Sequence, residues 1–226
     1  MKRIVFAGLI ALPFAGCRLF QGLFALFTAW IPETPVPARV ELKGETIVVM
    51  ATVAPTVPDR YAPLAHEIVS EFRKILVMKL DDKTIIDDDQ MFEFRSGRPD
   101  WGTFTREEVG KHFKADHVIE WEVRRLVVNT RGSPAEYRAQ LEGAIRMVEM
   151  IQPDPGASDK TRKRRGKVRF NEEIAFSDPP EGKFVMEPNM TPSKFLQRIK
   201  RGAAREYALW FYPHPSHEEK QRRTFR

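Results

Sequence analysis

His117-Val-Ile-Glu-Trp-Glu-Val-Arg-Arg-Leu-Val-Val128 (HVIEWEVRRLVV) is the stretch whose reading decides the fold. Ile119, Trp121 and Val123 alternate with Glu120, Glu122 and Arg124, which is the period of a strand with one dry face and one wet face. The pattern returns after a turn at Asn129 to Pro134. There Tyr137, Ala139, Leu141, Gly143, Ile145 and Met147 point one way, and Arg138, Gln140, Glu142 and Arg146 point the other. It returns again after a linker, Gln152 to Lys167, as Val168, Phe170, Ile174 and Phe176 against Arg169, Asn171 and Glu173. Three consecutive half-buried strands predict an antiparallel meander whose apolar face must be covered by helices.

The covering helices lie on both sides of the meander. Upstream, Leu64, Ile68, Phe72, Ile75, Leu76 and Leu80 fall on one helical stripe between Tyr61 and Leu80, with Glu67, Glu71 and Lys74 outside it. Downstream, Thr191-Pro192 supplies an N-cap and a first-turn proline, and Phe195, Ile199, Ala203, Tyr207 and Trp210 carry a second stripe toward Tyr212, where Pro213 stops it. Before the first helix, Glu45 to Val53 (ETIVVMATV) is β-branched and almost continuously apolar, as a strand covered on both faces would be. Strand then helix suggests the opening of a βαβ unit, and Lys83 to Ile86 begins a short second strand. Thr105 and Glu108 have capping-box spacing, which predicts a short helix from Arg106 to about Phe113. Met91 to Trp101, punctuated by Gly97, Pro99 and Gly102, reads as a loop. The expected fold is α/β (α+β): a mixed, largely antiparallel sheet covered by two long helices in the order βαβαβββα, preceded by an N-terminal signal and an amphipathic helix.

The start of the chain determines where this domain works. Lys2 and Arg3 form a positive n-region, Ile4 to Phe14 an apolar core too short to span a bilayer comfortably, and Ala15-Gly16 leads into Cys17. This is the layout of a secretory signal ending in a lipobox, and it resembles the signals of bacterial lipoproteins. That resemblance implies cleavage before Cys17 and acylation of its thiol, as by palmitate. Cys17 is the single cysteine of the 226 residues and cannot form an internal disulfide. The competing reading of a lone cysteine is a small buried hydrophobe. Leu19, Phe20, Leu23, Phe24, Phe27, Trp30 and Ile31 then recur at helical spacing. They suit an interfacial helix beside the acyl chains with Trp30 at headgroup level, or a helix packed on the domain's own core. A third reading is an uncleaved membrane helix from Ile4 to Ile31, interrupted by Arg18. Pro32, Pro35 and Pro37 make the following stretch a stiff spacer. The expected organisation is a signal peptide at 1–16, an anchor and spacer at 17–39, one domain at 40–213 and a disordered charged tail at 214–226.

With these elements in order, the chain resembles the small α/β domain shared by the curli-secretion lipoprotein CsgG, the N-terminal domain of TolB and related envelope lipoproteins. The strand Glu45 to Val53, the helix Tyr61 to Leu80, the phrase Lys114-Ala-Asp-His-Val-Ile-Glu-Trp-Glu-Val123 and the helix ending Trp210-Phe-Tyr-Pro213 carry the resemblance. It implies a non-enzymatic envelope protein, assembled with itself or docked on a larger partner. It does not extend to a pore, because Gln152 to Lys167 is too short and too charged for a barrel hairpin.

Composition bounds the rest. At 42 % hydrophobic and 11 % aromatic residues the chain supports a core. A net charge of +6, two units of it in Lys2 and Arg3, leaves a mildly basic mature protein that does not by itself imply nucleic acid. The densest charge feature, Lys160, Arg162, Lys163, Arg164, Arg165 and Lys167, lies in a loop. It suits phosphate or anionic lipid headgroups, or simply a solvated loop. No stacking aromatics accompany it, so nucleic acid is not the expected partner. Asp87, Asp88 and Asp89 lack the spacing of a calcium loop and read as an acidic turn. His112 and His117 do not share a face, and His214, His217 and Glu218 sit in the expected tail, so no metal or cofactor is assigned. No HExxH, GxSxG, Walker or GxGxxG motif occurs, and no catalytic residue is assigned. The expected role is a lipid-anchored structural, assembly or export component on the periplasmic side of the cell membrane or outer membrane. The alternative is a carrier for an anionic envelope ligand through the basic loop.

Overall fold

The computed structural model describes residues 35–98, 104–129, 137–151, 165–180 and 189–217. The described strands are β1 (Thr46–Val53), β2 (Thr84–Ile85), β3 (His117–Asn129), β4 (Arg138–Ile151) and β5 (Arg165–Asp178). The described helices are α1 (Ala62–Lys79), α2 (Asp88–Ser96), α3 (Arg106–His112) and α4 (Pro192–Ala208). One open sheet in the order β2-β1-β3-β4-β5 results. β1 pairs parallel with β2 and β3, and β3-β4-β5 is the expected antiparallel meander. The protein is thus an α+β fold opened by a βαβ unit.

The apolar face of the meander is covered as its period demands. Trp121 is fully buried and meets Phe72 of α1 edge-on at 5.2 Å and Tyr207 of α4 at 5.5 Å. Each such aromatic contact adds about 0.5–1.5 kcal/mol beyond the area buried. Past α4 the helix does not run on to Tyr212. Leu209 to Tyr212 turn inward and are all buried, and the Val40 amide donates to the Trp210 carbonyl at 2.9 Å. Val36 pairs with His214, which is itself buried. The folded body therefore reaches beyond 40–213 at both ends, because this pairing closes the two termini of the body on each other.

Further expectations need correction. First, the segment after Asp87 is helix, not loop. The Asp87 carboxylate accepts from the Gln90 amide at 2.7 Å and the Gln90 side chain accepts from the Asp87 amide at 3.4 Å, so the acidic run is the start of α2. Second, β3 is not wet on one face throughout. His117 to Trp121 are all buried, because α2 and α3 place Met91, Phe94 and Val109 over the opposite face, against Val48, Met50, Val118 and Val148. Third, the alternation in β3 changes phase. A bulge between Val123 and Arg125 moves the inward set from Ile119, Trp121 and Val123 to Leu126 and Val128, leaving Val127 exposed. Strand β5 also starts earlier than expected: Arg165, Gly166 and Lys167 pair with Ile151, Met150 and Glu149 as the first rungs of a ladder.

The phrase Lys114-Ala115-Asp116-His117 is a built junction. Lys114 has a positive φ of 52°, Ala115 is buried, and the Asp116 carboxylate accepts from the amides of Glu45 and Thr46 at 2.8 and 3.0 Å. Opposite it, Gly44 sits at φ 98°, and a side chain there would lie 2.6 Å from Asp116 Cβ. One carboxylate thereby fixes the entry of β1 beside the entry of β3.

Candidate functional site

A short β2 leaves a notch in the sheet. The carbonyls of Glu45 and Ile47 receive the amides of Thr84 and Ile86, at 2.7 and 2.9 Å. Residues two apart on a strand point their carbonyls to the same side, so Val49 and Ala51 face the same edge. Among the described residues no strand lies beside them, because β2 ends at Ile85. Arg73, one α-helical turn inside the C-terminal half of α1, reaches across this edge and donates from Nη2 to the Val49 carbonyl at 2.6 Å. A guanidinium thus takes the place of the missing strand.

The notch opens into a cleft of about 320 Å³ between α1 and the start of α2, lined by His66, Ser70 and Arg73 from one side and Asp88, Asp89 and Arg95 from the other. Arg73 is 5 % exposed and paired through Nη1 with Asp88, whose carboxylate also accepts from Ser70 Oγ at 2.6 Å. Its Nε is buried and has no hydrogen-bond partner among the described residues. Burial pushes the Arg73 guanidinium down to about 10, the nearby Arg95 charge adds to this, and Asp87 opposes it; it stays protonated at neutral pH. Burial also lowers Arg95. His66 is held below its ordinary value by burial and then by Arg95, which favours a neutral imidazole at the cleft. The cleft therefore lies at the open edge of β1, past the carboxyl end of β2.

Two other polar groupings are structural. Glu120, on the face opposite the aromatic core, pairs with Arg106 and lies 3.5 Å from Arg146 Nη1, and Thr52 Oγ1 donates to it at 2.9 Å. Every buried charge there is answered, as a fold-defining network requires. His117 Nε2 contacts the Lys43 carbonyl, which can only accept, so the imidazole carries its proton on that nitrogen. A second cleft, about 250 Å³, lies beside it between Lys43, Glu149 and Arg169.

Of the residues singled out from sequence, Asp88 and Asp89 line this cleft. Cys17, Leu19, Phe20, Leu23, Phe24, Phe27, Trp30 and Ile31 lie outside the described residues, as do Lys160, Arg162, Lys163 and Arg164. Arg165 and Lys167 open β5, and Lys167 is exposed. Arg73 was hidden in sequence because a single arginine at the border of an apolar stripe looks like any solvent-facing charge. Asp87 with Gln90 was the legible signal for α2, and with α2 placed, Arg95 follows. Among the described residues no helix is long and apolar enough to cross a membrane, and no three His, Cys, Asp or Glu side chains converge as metal ligands.

Fold and cleft together define a small α+β protein with an open five-stranded sheet, whose sheet edge is interrupted by a charged notch. No family description and no curated protein sequence matches the chain. Among solved structures it is similar to lipoprotein GNA1162 from Neisseria meningitidis, at 12 % identity and a TM-score of 0.44 over 73 % of this chain and 99 % of that one. It is similar to the hypothetical protein CT253 from Chlamydia trachomatis, at 12 % identity and a TM-score of 0.40 over 74 % and 96 % of the two chains. It is also similar to the PelC dodecamer from Paraburkholderia phytofirmans, at 11 % identity and a TM-score of 0.43 over 79 % and 93 %.

Proposed function

We propose that the chain is a lipid-anchored protein of the bacterial envelope that works through protein contacts and carries out no chemical step of its own. One observation carries the reading: a positive pair, an apolar run of signal-peptide length and Ala15-Gly16 stand directly before the only cysteine of the chain. The aromatic helix expected at Leu19 to Ile31 supplies a second membrane signal, and stable anchoring takes two. The resemblance to the CsgG and TolB N-terminal domains belongs to the same reading. It makes the body after the proline spacer a docking module held at the periplasmic surface, facing an envelope partner or further copies of itself.

Cys17→Ala tests the proposal. In a host that processes lipoproteins, the wild-type protein should fractionate with membranes, incorporate labelled palmitate and show an acylated N-terminal fragment by mass spectrometry. The variant should lose the label and the fragment. A variant that keeps wild-type mass and labelling removes the anchor from Cys17 and overturns the reading.

A further inference from the structure

The cleft between α1 and α2 is built around a buried guanidinium, Arg73, that the described residues only partly satisfy. Arg73 is nearly inaccessible to solvent, yet its Nε finds no acceptor among the described residues. A buried donor left without a partner costs about 1–3 kcal/mol, more when it belongs to a charged group. Arg95 lines the same space from α2, close enough for the two guanidinium charges to oppose one another. We propose that this cleft is a binding site for a small monoanionic carboxylate, held by Arg73 and Arg95 at the open edge of β1.

The choice of carboxylate follows from what else lines the cleft. Asp88 and Asp89 balance the two arginines, so the site offers directed donors without net positive charge. A phosphate dianion would meet both aspartates, whereas a planar monoanion matches the fork of a guanidinium. Asp88 is already engaged by Arg73 and Ser70. Asp89, on the exposed side, is placed to accept from a hydroxyl or ammonium group of the ligand. A cleft of about 320 Å³ lies at the lower end of the range for small-molecule sites and suits a hydroxy or amino acid. Phe92, 70 % exposed on α2 and also lining the cleft, can cover an apolar substituent. None of this depends on the anchor at Cys17.

The test is a titration of the full chain in detergent with sodium lactate, glycine and sodium phosphate, with sodium chloride as reference, read by calorimetry and by the arginine Nε–H resonances in NMR. The expected result is saturable binding of lactate or glycine that shifts one buried Nε–H signal, with phosphate at least tenfold weaker. Arg95→Gln, at the half-buried side of the cleft, should weaken the carboxylate at least tenfold while the circular-dichroism spectrum shows the fold retained. Asp89→Asn should narrow the gap between phosphate and carboxylate. Tighter binding of phosphate than of carboxylate overturns the ligand class. Responses indistinguishable from chloride, or unaltered by both substitutions, overturn the site.

Discussion

Among the described glycines, Gly143 is the one whose surroundings leave least room for a side chain. It sits in β4 opposite Val123, beside the β3 bulge, and a methyl group there would lie 1.9 Å from the Glu122 carbonyl oxygen and 3.0 Å from its carbon. Both atoms are backbone in the centre of the sheet, so no side-chain rotation relieves the contact. An ordinary carbon–oxygen approach is about 3.3 Å, so β3 and β4 would have to part locally by more than an ångström. That separation breaks roughly two ladder hydrogen bonds at about 1 kcal/mol each. The overpacking itself costs about 1–3 kcal/mol. Gly143→Ala should therefore destabilise the protein by about 3–5 kcal/mol. For a domain of this size the loss corresponds to a fall of about 10 °C in melting temperature. The assay is thermal unfolding followed by circular dichroism, with Gly97→Ala as control, since a methyl group there meets the Glu93 carbonyl at an unstrained 3.5 Å. The control should lie within about 0.5 kcal/mol of wild type. If Gly143→Ala melts within 2 °C of wild type, the bulge is not where the register places it.

Two further outcomes follow from the junction before β3. Asp116→Ala removes the acceptor for the Glu45 and Thr46 amides and should cost about 1–3 kcal/mol by chemical denaturation; a change below about 0.5 kcal/mol would mean that water satisfies those amides instead. Acidification should destabilise the protein through His117, which is 2 % exposed and held below its ordinary value by burial, against the Lys43 carbonyl and the charges of Glu149 and Asp116. The sign is fixed by the direction of that shift: the unfolded chain takes up this proton first, so the contribution is complete above about pH 6.5 and is lost as pH falls below it. Melting curves at pH 7.5 and 5.5 should separate by less in His117→Gln than in wild type, and an equal separation would clear His117 of the effect.

Much of the fold was legible because its information is local. The alternation in β4 and β5, the stripes of α1 and α4 and the caps at Thr105 and Thr191 each specify an element within a few residues; each element forms, but β5 begins earlier and leaves Val168, expected on the dry face, 58 % exposed, and α4 ends at Ala208. The acidic run that opens α2 reads as a turn because three aspartates resemble one, although Asp87 and Gln90 hold the capping signal three residues apart. The double arginine at 124–125 likewise marked a break in alternation that only the bulge explains. The candidate site was not legible at all. Arg73, Val49, Asp88 and Arg95 belong to three elements and acquire meaning only when those elements are docked.

By itself the sequence determined the type of nearly every described element, because hydrophobic period and capping are properties of adjacent residues. Which faces of the sheet are dry, where β2 stops short of β1, and which guanidinium answers the exposed carbonyl edge were decided by tertiary structure. Those outcomes depend on pairings between residues tens of positions apart, such as Thr46 with Thr84 and Ile47 with both Ile85 and His117, and no local period encodes the length of a partner strand.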